Sequence, residues 1–334
     1  MQSARGREGA YWPSPGVRAE DGVPRSWTLI LPILLCCGAA PEEGPELRFD
    51  GPRAFAELRE LVAIGPRPAG SAGAARTREL IRERLRQAGW RVENHAFRAG
   101  PPAGPELEMV NLIGVRAGER ADARILLVTH YDTKRLEGIR FLGANDGASG
   151  VALLLELARQ LATRPLEFTV WLVFFDGEEA LGEAISATDG LFGSRALAQR
   201  MDREGTLESI HALVLVDMVA DRDLNLTVDS SSSPALRALL REEAERAGEA
   251  GLIDSEATLR VLDDHTPFMQ RGVPEVLAII DFQFGARRTP GPYWHTQADD
   301  LGAVSEESLN RVGRLLVQLF DRIEKRLLER AAAP

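Results

Sequence analysis

Eight consecutive apolar or β-branched residues, Phe168 to Phe175 (FTVWLVFF), run directly into Asp176-Gly177-Glu178-Glu179. A run of that length without polar alternation fits a strand covered on both faces, because a strand with one wet face would alternate. Carboxylates contribute nothing to such packing. In open α/β sheets ligands gather beyond the carboxyl ends of the strands, so an acidic pair at that point is placed for chemistry. Neighbouring side chains in extended backbone point apart, which lets one glutamate hold a metal while the other stays free as a base.

The same arrangement recurs along the chain. Ile125-Leu126-Leu127-Val128 reads as a buried strand ending at His130-Tyr131-Asp132, and His211 to Val216 as another that stops at Asp217. Leu224 to Val228 is expected to pair beside the latter, and Arg91 to Phe97, Glu108 to Val115 and Val276 to Ile280 complete the strands. Helical patterns fall at Phe55, Leu58, Leu61 and Val62, from Ala74 to Gln87, from Ala148 to Leu161, from Pro234 to Ala247 and from Ser305 to Leu328. Strands alternating with helices predict an α/β fold with a mostly parallel sheet covered on both sides.

With 334 residues, of which 44% are hydrophobic and 27% charged, the chain can bury a large core. A net charge of -10 and a pI near 5.2 argue against a nucleic-acid partner, whose phosphates demand a basic face, and leave peptides or small molecules as ligands. The two cysteines, Cys36 and Cys37, both precede the expected fold, so no disulfide framework supports it. Residues 1–25 carry no periodic pattern and are expected to be disordered. Residues 26–47 read as a leader and linker. Ser26 to Ala40 (SWTLILPILLCCGAA) follows Arg25 and has the length of a signal peptide, short for a bilayer span. Within it Leu34-Leu35-Cys36-Cys37-Gly38 resembles a lipobox, in which Cys37 would take a membrane-anchoring lipid after cleavage; Ala39-Ala40 offers an ordinary cleavage site instead. The expectation is an exported protein, periplasmic or extracellular, with residues 48–334 as a single catalytic domain.

His130, Asp146, Glu178 with Glu179, Asp217 and His295 all fall at strand ends or in adjacent loops. Singly each has an ordinary explanation. His130 could be a satisfied core histidine, Asp146 a helix cap, Asp217 a turn residue and His295 a loop residue stacked on aromatics. Together they supply two nitrogens and several carboxylates, a donor set suited to zinc in an open, catalytic site. A metal there would polarise a carbonyl while a glutamate that does not bind it moves a proton.

In order along the chain, His130-Tyr131-Asp132, Gly143-Ala144-Asn145-Asp146-Gly147-Ala148-Ser149-Gly150, Asp176-Gly177-Glu178-Glu179, Val216-Asp217-Met218, Asp264-His265-Thr266-Pro267-Phe268 and Trp294-His295-Thr296 resemble the M28 zinc peptidases. That superfamily contains aminopeptidases and glutaminyl-peptide cyclotransferases. The resemblance runs from about Phe55 to the last helix and implies a three-layer α/β/α sandwich around a mixed sheet. It implies that Asp146, Glu179 and His295 bind one zinc and that Glu178 is the general acid/base. In the two-metal aminopeptidases His130 and Asp217 would hold a second zinc, with Asp146 bridging. In a cyclotransferase, which uses a single zinc, Asp217 would instead join a carboxylate network with Asp263.

The segment Asp263-Asp264-His265-Thr266-Pro267-Phe268-Met269-Gln270-Arg271-Gly272-Val273-Pro274 closely resembles the cyclotransferase form, since peptidases usually lack the first aspartate. The implied reaction closes the N-terminal glutamine of a peptide to pyroglutamate and releases ammonia, with Trp294 walling the pocket or packing its rim. Other positions depart from the animal cyclotransferases: Ala184 stands near their tryptophan, Ala278 near a histidine, and Gly147 where serine is usual. A metallo-aminopeptidase acting on free N-termini is therefore the alternative. A binding domain on the same fold is the third, although such domains lose metal ligands that this chain retains.

Overall fold

The run from Phe168 to Phe175 forms a strand whose two faces enter two different cores. Val170, Leu172 and Phe174 join the larger core, and Trp171, Val173 and Phe175 the smaller one. Period-two alternation with both faces apolar is the reason the sequence shows no polar break. The computed structural model describes residues 48–254 and 259–332. The expected extension and leader, Cys37 included, lie outside those residues.

In chain order the elements are α1 (Gly51–Ile64), α2 (Ala72–Gln87), β1 (Arg91–Ala99), β2 (Leu107–Arg116), β3 (Arg120–His130), α3 (Ala148–Leu161), β4 (Phe168–Phe175), α4 (Phe192–Arg203), β5 (Ile210–Asp217), β6 (Leu226–Val228), α5 (Pro234–Arg246), β7 (Ile253–Asp254), α6 (Thr266–Met269), β8 (Val276–Ile280) and α7 (Glu306–Ala332). The sheet runs β1-β2-β4-β3-β5-β8-β6-β7. Its centre, β4-β3-β5-β8, is parallel throughout, while β1, β2 and the β6–β8 pairing are antiparallel. Helices α1, α2, α3, α5 and α7 pack the larger core on one face. On the other, α4 supplies Leu197, Ala198 and Met201, and α6 supplies Phe268. The architecture is thus the α/β/α sandwich around a mixed sheet.

Two features differ from the sequence-based expectation. Segment β6 does not lie beside β5: β8 takes that position, Leu213 to Asp217 pairing with Val276 to Ile280, and β6 runs antiparallel to β8. Helix α4, which packs Leu197, Ala198 and Met201 into the smaller core, is not among the expected helices; Arg195, Arg200, Asp202 and Arg203 make the segment polar on average.

The parallel registers bring the site residues to one edge. His130 pairs opposite Phe175, so the end of β3 lies level with the start of the acidic segment, and Asp217 pairs opposite Ile280. Asn111 on β2 fixes that edge from below. Its Oδ1 accepts from the Asp176 amide at 3.0 Å, and its Nδ2 donates to the Gly193 carbonyl at 2.8 Å and to His95 Nδ1 at 3.0 Å. Only glycine fits at position 193, where a Cβ would meet Asn111 Oδ1 at 2.4 Å.

Because Asn111 donates to its Nδ1, the buried His95 ring is held neutral. Burial, with Arg200 and Arg203 nearby, lowers its pKa to about 4. The unfolded chain takes up that proton near pH 6.5, so the stabilisation is complete above this value and is lost as pH falls toward 4. Between pH 6.5 and 5 the stability advantage of the wild type over His95→Gln should shrink by up to about 2 kcal/mol. Urea unfolding at a series of pH values measures this, and parallel profiles for the two proteins would refute it.

Candidate metal centre and pocket

His130 Nε2 lies 3.2 Å from Asp146 Oδ1 and 3.2 Å from Asp217 Oδ1. His295 Nε2 lies 3.2 Å from Glu179 Oε1 and 3.5 Å from Asp146 Oδ2. Asp146 therefore stands between the two histidines. In each trio, His130/Asp146/Asp217 and Asp146/Glu179/His295, the donor atoms all lie within 4.8 Å of one another. Asp146 Oδ2 and Glu179 Oε1 are buried without a hydrogen-bond partner, a deficit that a cation between them removes. Nitrogen and carboxylate donors without thiolates fit a divalent metal in an open site.

Several residues aim these donors. Met218 and His295 both adopt left-handed backbone, with φ of 48° and 53°, strain of the kind that the surroundings of a functional site impose. The turn at Met218 lets its amide donate to Asp217 Oδ1 at 2.8 Å. Ser149 Oγ donates to the Asn145 carbonyl and accepts from the Val219 amide, while Asn145 Oδ1 accepts from the Ala220 amide. The Asp146 loop is thereby bonded to the turn after Asp217. At Gly147 a Cβ would meet the Asp132 carbonyl at 2.7 Å, so no larger residue fits before α3.

Three further residues were not singled out in the sequence. Asp132 lies 3.6 Å from His130 Nδ1, and its carboxylate accepts from the amides of Glu178 at 3.1 Å and Glu179 at 3.4 Å. One side chain thus orients a histidine and both glutamates. Asp299 accepts from the amides of Asn145 and Asp146 at 2.7 and 3.0 Å. Arg67, fully buried, donates to the carbonyls of Tyr131, Leu142 and Gly143. Their signal was weak because each acts on backbone amides or carbonyls, which impose no side-chain pattern elsewhere in the chain. Asp132 alone was visible, as the third residue of His130-Tyr131-Asp132.

A pocket of about 260 Å³ opens beside the two trios, lined by Glu178, Asp217, Asp263, Trp294 and Phe282 among others. Trp294 stacks on His295 with ring centroids 3.9 Å apart, and Phe282 meets Trp294 edge-on at 5.3 Å. Burial, then the neighbouring charges of Glu179, Asp263 and Asp264, pushes the Glu178 carboxyl well above its ordinary range despite the opposing His130. Asp263 is raised well above its usual range, by burial and then by Asp217 and Asp264. Burial also pushes Asp264 up to about 7. Asp146 goes the other way: the imidazoles of His130 and His295 beside it overcome its burial and hold it low. His295 is raised to about 9, since Asp146 and Glu179 outweigh its own burial.

All eight sequence-derived site residues, His130, Asp146, Glu178, Glu179, Asp217, Asp263, Trp294 and His295, meet at this one edge. The segment from Leu181 to Asp189 is a rim loop whose Ala184 and Ile185 face the pocket, closed by Asp189 accepting from the Leu181 and Gly182 amides. Ala278 is different. It lies fully buried in β8 within the smaller core, away from the pocket lining. Arg287 donates to Asn225 and does not line the pocket; the cations that do are Lys134 and Arg260.

Comparison with known proteins places this geometry. The profile of Peptidase family M28 matches residues 111–320. A glutaminyl-peptide cyclotransferase of Drosophila melanogaster is 31% identical over 289 residues, 79% of each chain. The crystal structure of an Acidobacteriales bacterium glutaminyl cyclase superposes with a TM-score of 0.80 at 40% identity, covering 86% of this chain and 99% of the other. A Zn-dependent exopeptidase from Parabacteroides distasonis, at 23% identity and a TM-score of 0.73 over 81% of this chain and 98% of its own, shares the fold. The chain belongs to peptidase family M28.

Proposed function

We propose that this protein is a zinc-dependent glutaminyl-peptide cyclotransferase, which converts the N-terminal glutamine of a peptide to pyroglutamate and releases ammonia. The observation that carries the reading is the trio of carboxylates, Glu178, Asp217 and Asp263, gathered in one pocket beside the Asp146/Glu179/His295 cluster. The relatives of that name, matched over most of both chains, support it.

Asp146, Glu179 and His295 would hold the zinc, which when bound supplies Lewis-acid polarisation of the γ-carboxamide. The chain's own groups do the rest. Glu178 takes a proton from the α-amine as its nitrogen attacks the carbonyl carbon of that carboxamide, Cδ, and returns it to the departing amide nitrogen, so one C–N bond forms, one breaks and ammonia leaves. A base whose proton affinity is raised by burial suits both halves of that transfer. Asp217 and Asp263 support the transfer from within the same pocket, which Trp294 also lines.

One observation favours the alternative, a metallo-aminopeptidase with two zinc ions: the second trio, His130/Asp146/Asp217, is complete and shares Asp146. Metal stoichiometry and products separate the two. Given a Gln-initiated and a Leu-initiated peptide, the zinc-loaded protein should release ammonia from the first and leave the second intact, with about one zinc per chain. A free amino acid from either peptide, with two zinc ions bound, would establish the peptidase instead. Export, with Cys37 as a lipid attachment point, belongs to the same proposal and rests on the leader sequence.

The role division is tested by substitution. Glu178→Gln should lower kcat by about 10²- to 10⁴-fold with zinc content unchanged, whereas Glu179→Ala should lose zinc on dialysis. An active Glu178→Gln variant would remove Glu178 from the mechanism. Asp132→Ala should weaken zinc binding or turnover by about 10- to 100-fold, because the ligands lose their orientation; zinc titration and kinetics at wild-type level would show that Asp132 serves folding alone.

A further inference from the structure

The pocket is not closed at its rim. Ile185 and Leu262 line it and also line a second, larger hollow of about 800 Å³ that extends away between α4, the end of β1 and the segment around α6. Leu262 is 49% exposed, an apolar sill between the two spaces. A peptide whose first residue occupies the pocket must send the rest of its chain outward, and this sill is a lined route for it.

The charge of the hollow is opposite to that of the protein. The chain carries a net charge of -10, yet the hollow's described lining contains Arg98, Arg195 and Arg271 and no aspartate or glutamate. Arg98 is already compensated by Glu106 and Glu108. The other two are compensated more loosely, Arg195 by the more distant charges of Asp189 and Asp264 and Arg271 by Asp202. Arg195 donates to the carbonyls of Ser186 and Ala187 on the rim loop and has no carboxylate within ion-pair distance among the described residues. Arg271 donates to the Pro267 carbonyl at 3.0 Å, and its ion-pair partner, Asp202, stands at 3.9 Å. Between these guanidiniums the wall is apolar, with Phe97, Phe192 and Pro267. Guanidinium groups with donors left over are the side chains that bind carboxylates most effectively.

From this juxtaposition we infer that the hollow is a subsite for the downstream residues of the substrate, selecting peptides with acidic side chains a few residues after the N-terminus. The inference rests on the cyclotransferase reading for the direction of the chain and adds a substrate class to it. Acidic side chains there meet Arg195 and Arg271, while their aliphatic neighbours lie on the phenylalanines.

The test uses the zinc-loaded full chain and amidated peptides, so that side-chain carboxylates alone differ. Pyroglutamyl-Leu-Ala-Glu-Glu-Ala amide and its Gln-Gln and Lys-Lys counterparts cannot be turned over, and their binding is measured by calorimetry. The acidic peptide should bind about three- to ten-fold more tightly than the neutral one, and the lysine peptide more weakly than both. The difference should fade in about 0.5 M salt and fall below about two-fold in Arg271→Gln. Equal affinities for the three peptides, or a preference indifferent to salt, would overturn the inference; the salt series in the wild type decides it even where the variant folds poorly. Turnover of Gln-Leu amide is followed in parallel. Its failure to cyclise overturns the cyclotransferase reading, whereas cyclisation with equal peptide affinities overturns the subsite alone.

Discussion

Buried negative charge at one edge of the sheet is the constraint around which the rest of the site is arranged. Asp146, Glu178, Glu179, Asp217, Asp263 and Asp264 are all buried there, within reach of two imidazoles, His130 and His295. Burial first, and then their mutual repulsion, make these carboxylates resist ionisation, so Glu178 and Asp263 are pushed up while Asp146, held by both histidines, is pushed down. A protein could relieve such strain by replacing the acids with apolar residues. This one instead uses Asp132 and Asp299, which accept from the backbone amides beside the carboxylates, and a fully buried Arg67 to hold the loops that carry them. That outlay is understandable only where the carboxylates have ligands or protons to handle.

The two glutamates illustrate how adjacent identical residues acquire different work. Their amides are fixed by the same Asp132 carboxylate, so their backbone positions are not independent. The side chains diverge. Glu179 reaches His295 through Oε1, whereas the charges that act most on Glu178, His130 apart, are Glu179 and the aspartate pair Asp263 and Asp264. Gly177, with φ of 71° and Met109 Sδ 2.4 Å from where a Cβ would sit, supplies the turn that permits the divergence. Extended backbone alone accounts for opposite directions; the surroundings determine which glutamate meets nitrogen and which meets acid.

Legibility in the sequence followed burial. Phe168–Phe175, Ala148–Leu161 and Val276–Ile280 can be read to the residue, because a centre buried on both faces or a helix buried nearly all round leaves continuous apolar runs. The donors were legible through their placement at the ends of those runs. Harder were β6, whose neighbour is set by a strand some fifty residues later, and α4, whose charged side masks its apolar one. The residues that orient the donors were nearly silent, since Arg67 and Asp299 act through backbone groups contributed by any residue type. Ala278 shows the opposite hazard: a position that the resemblance sets near a histidine of the animal cyclotransferases packs here into the core.

Metal number and reaction are linked by the shared Asp146. If His130 and Asp217 were committed to a second ion, Asp217 would be held ionised by the metal and would have only its second oxygen for the neighbouring Asp263. If they are not, His130 already has the partners of a charged, structural imidazole: Asp132 on one nitrogen, Asp146 and Asp217 on the other. In that state it neutralises part of the cluster at no coordination cost, and Asp217 keeps an oxygen for the proton network. The aspartates raise the fully buried His130 well above its ordinary pKa although burial opposes it, and a cation on the same nitrogen would displace that proton. A histidine in the position of a metal ligand can therefore serve as a fixed positive charge, and the fold leaves the number of ions to the competition between a proton and a metal for one imidazole nitrogen.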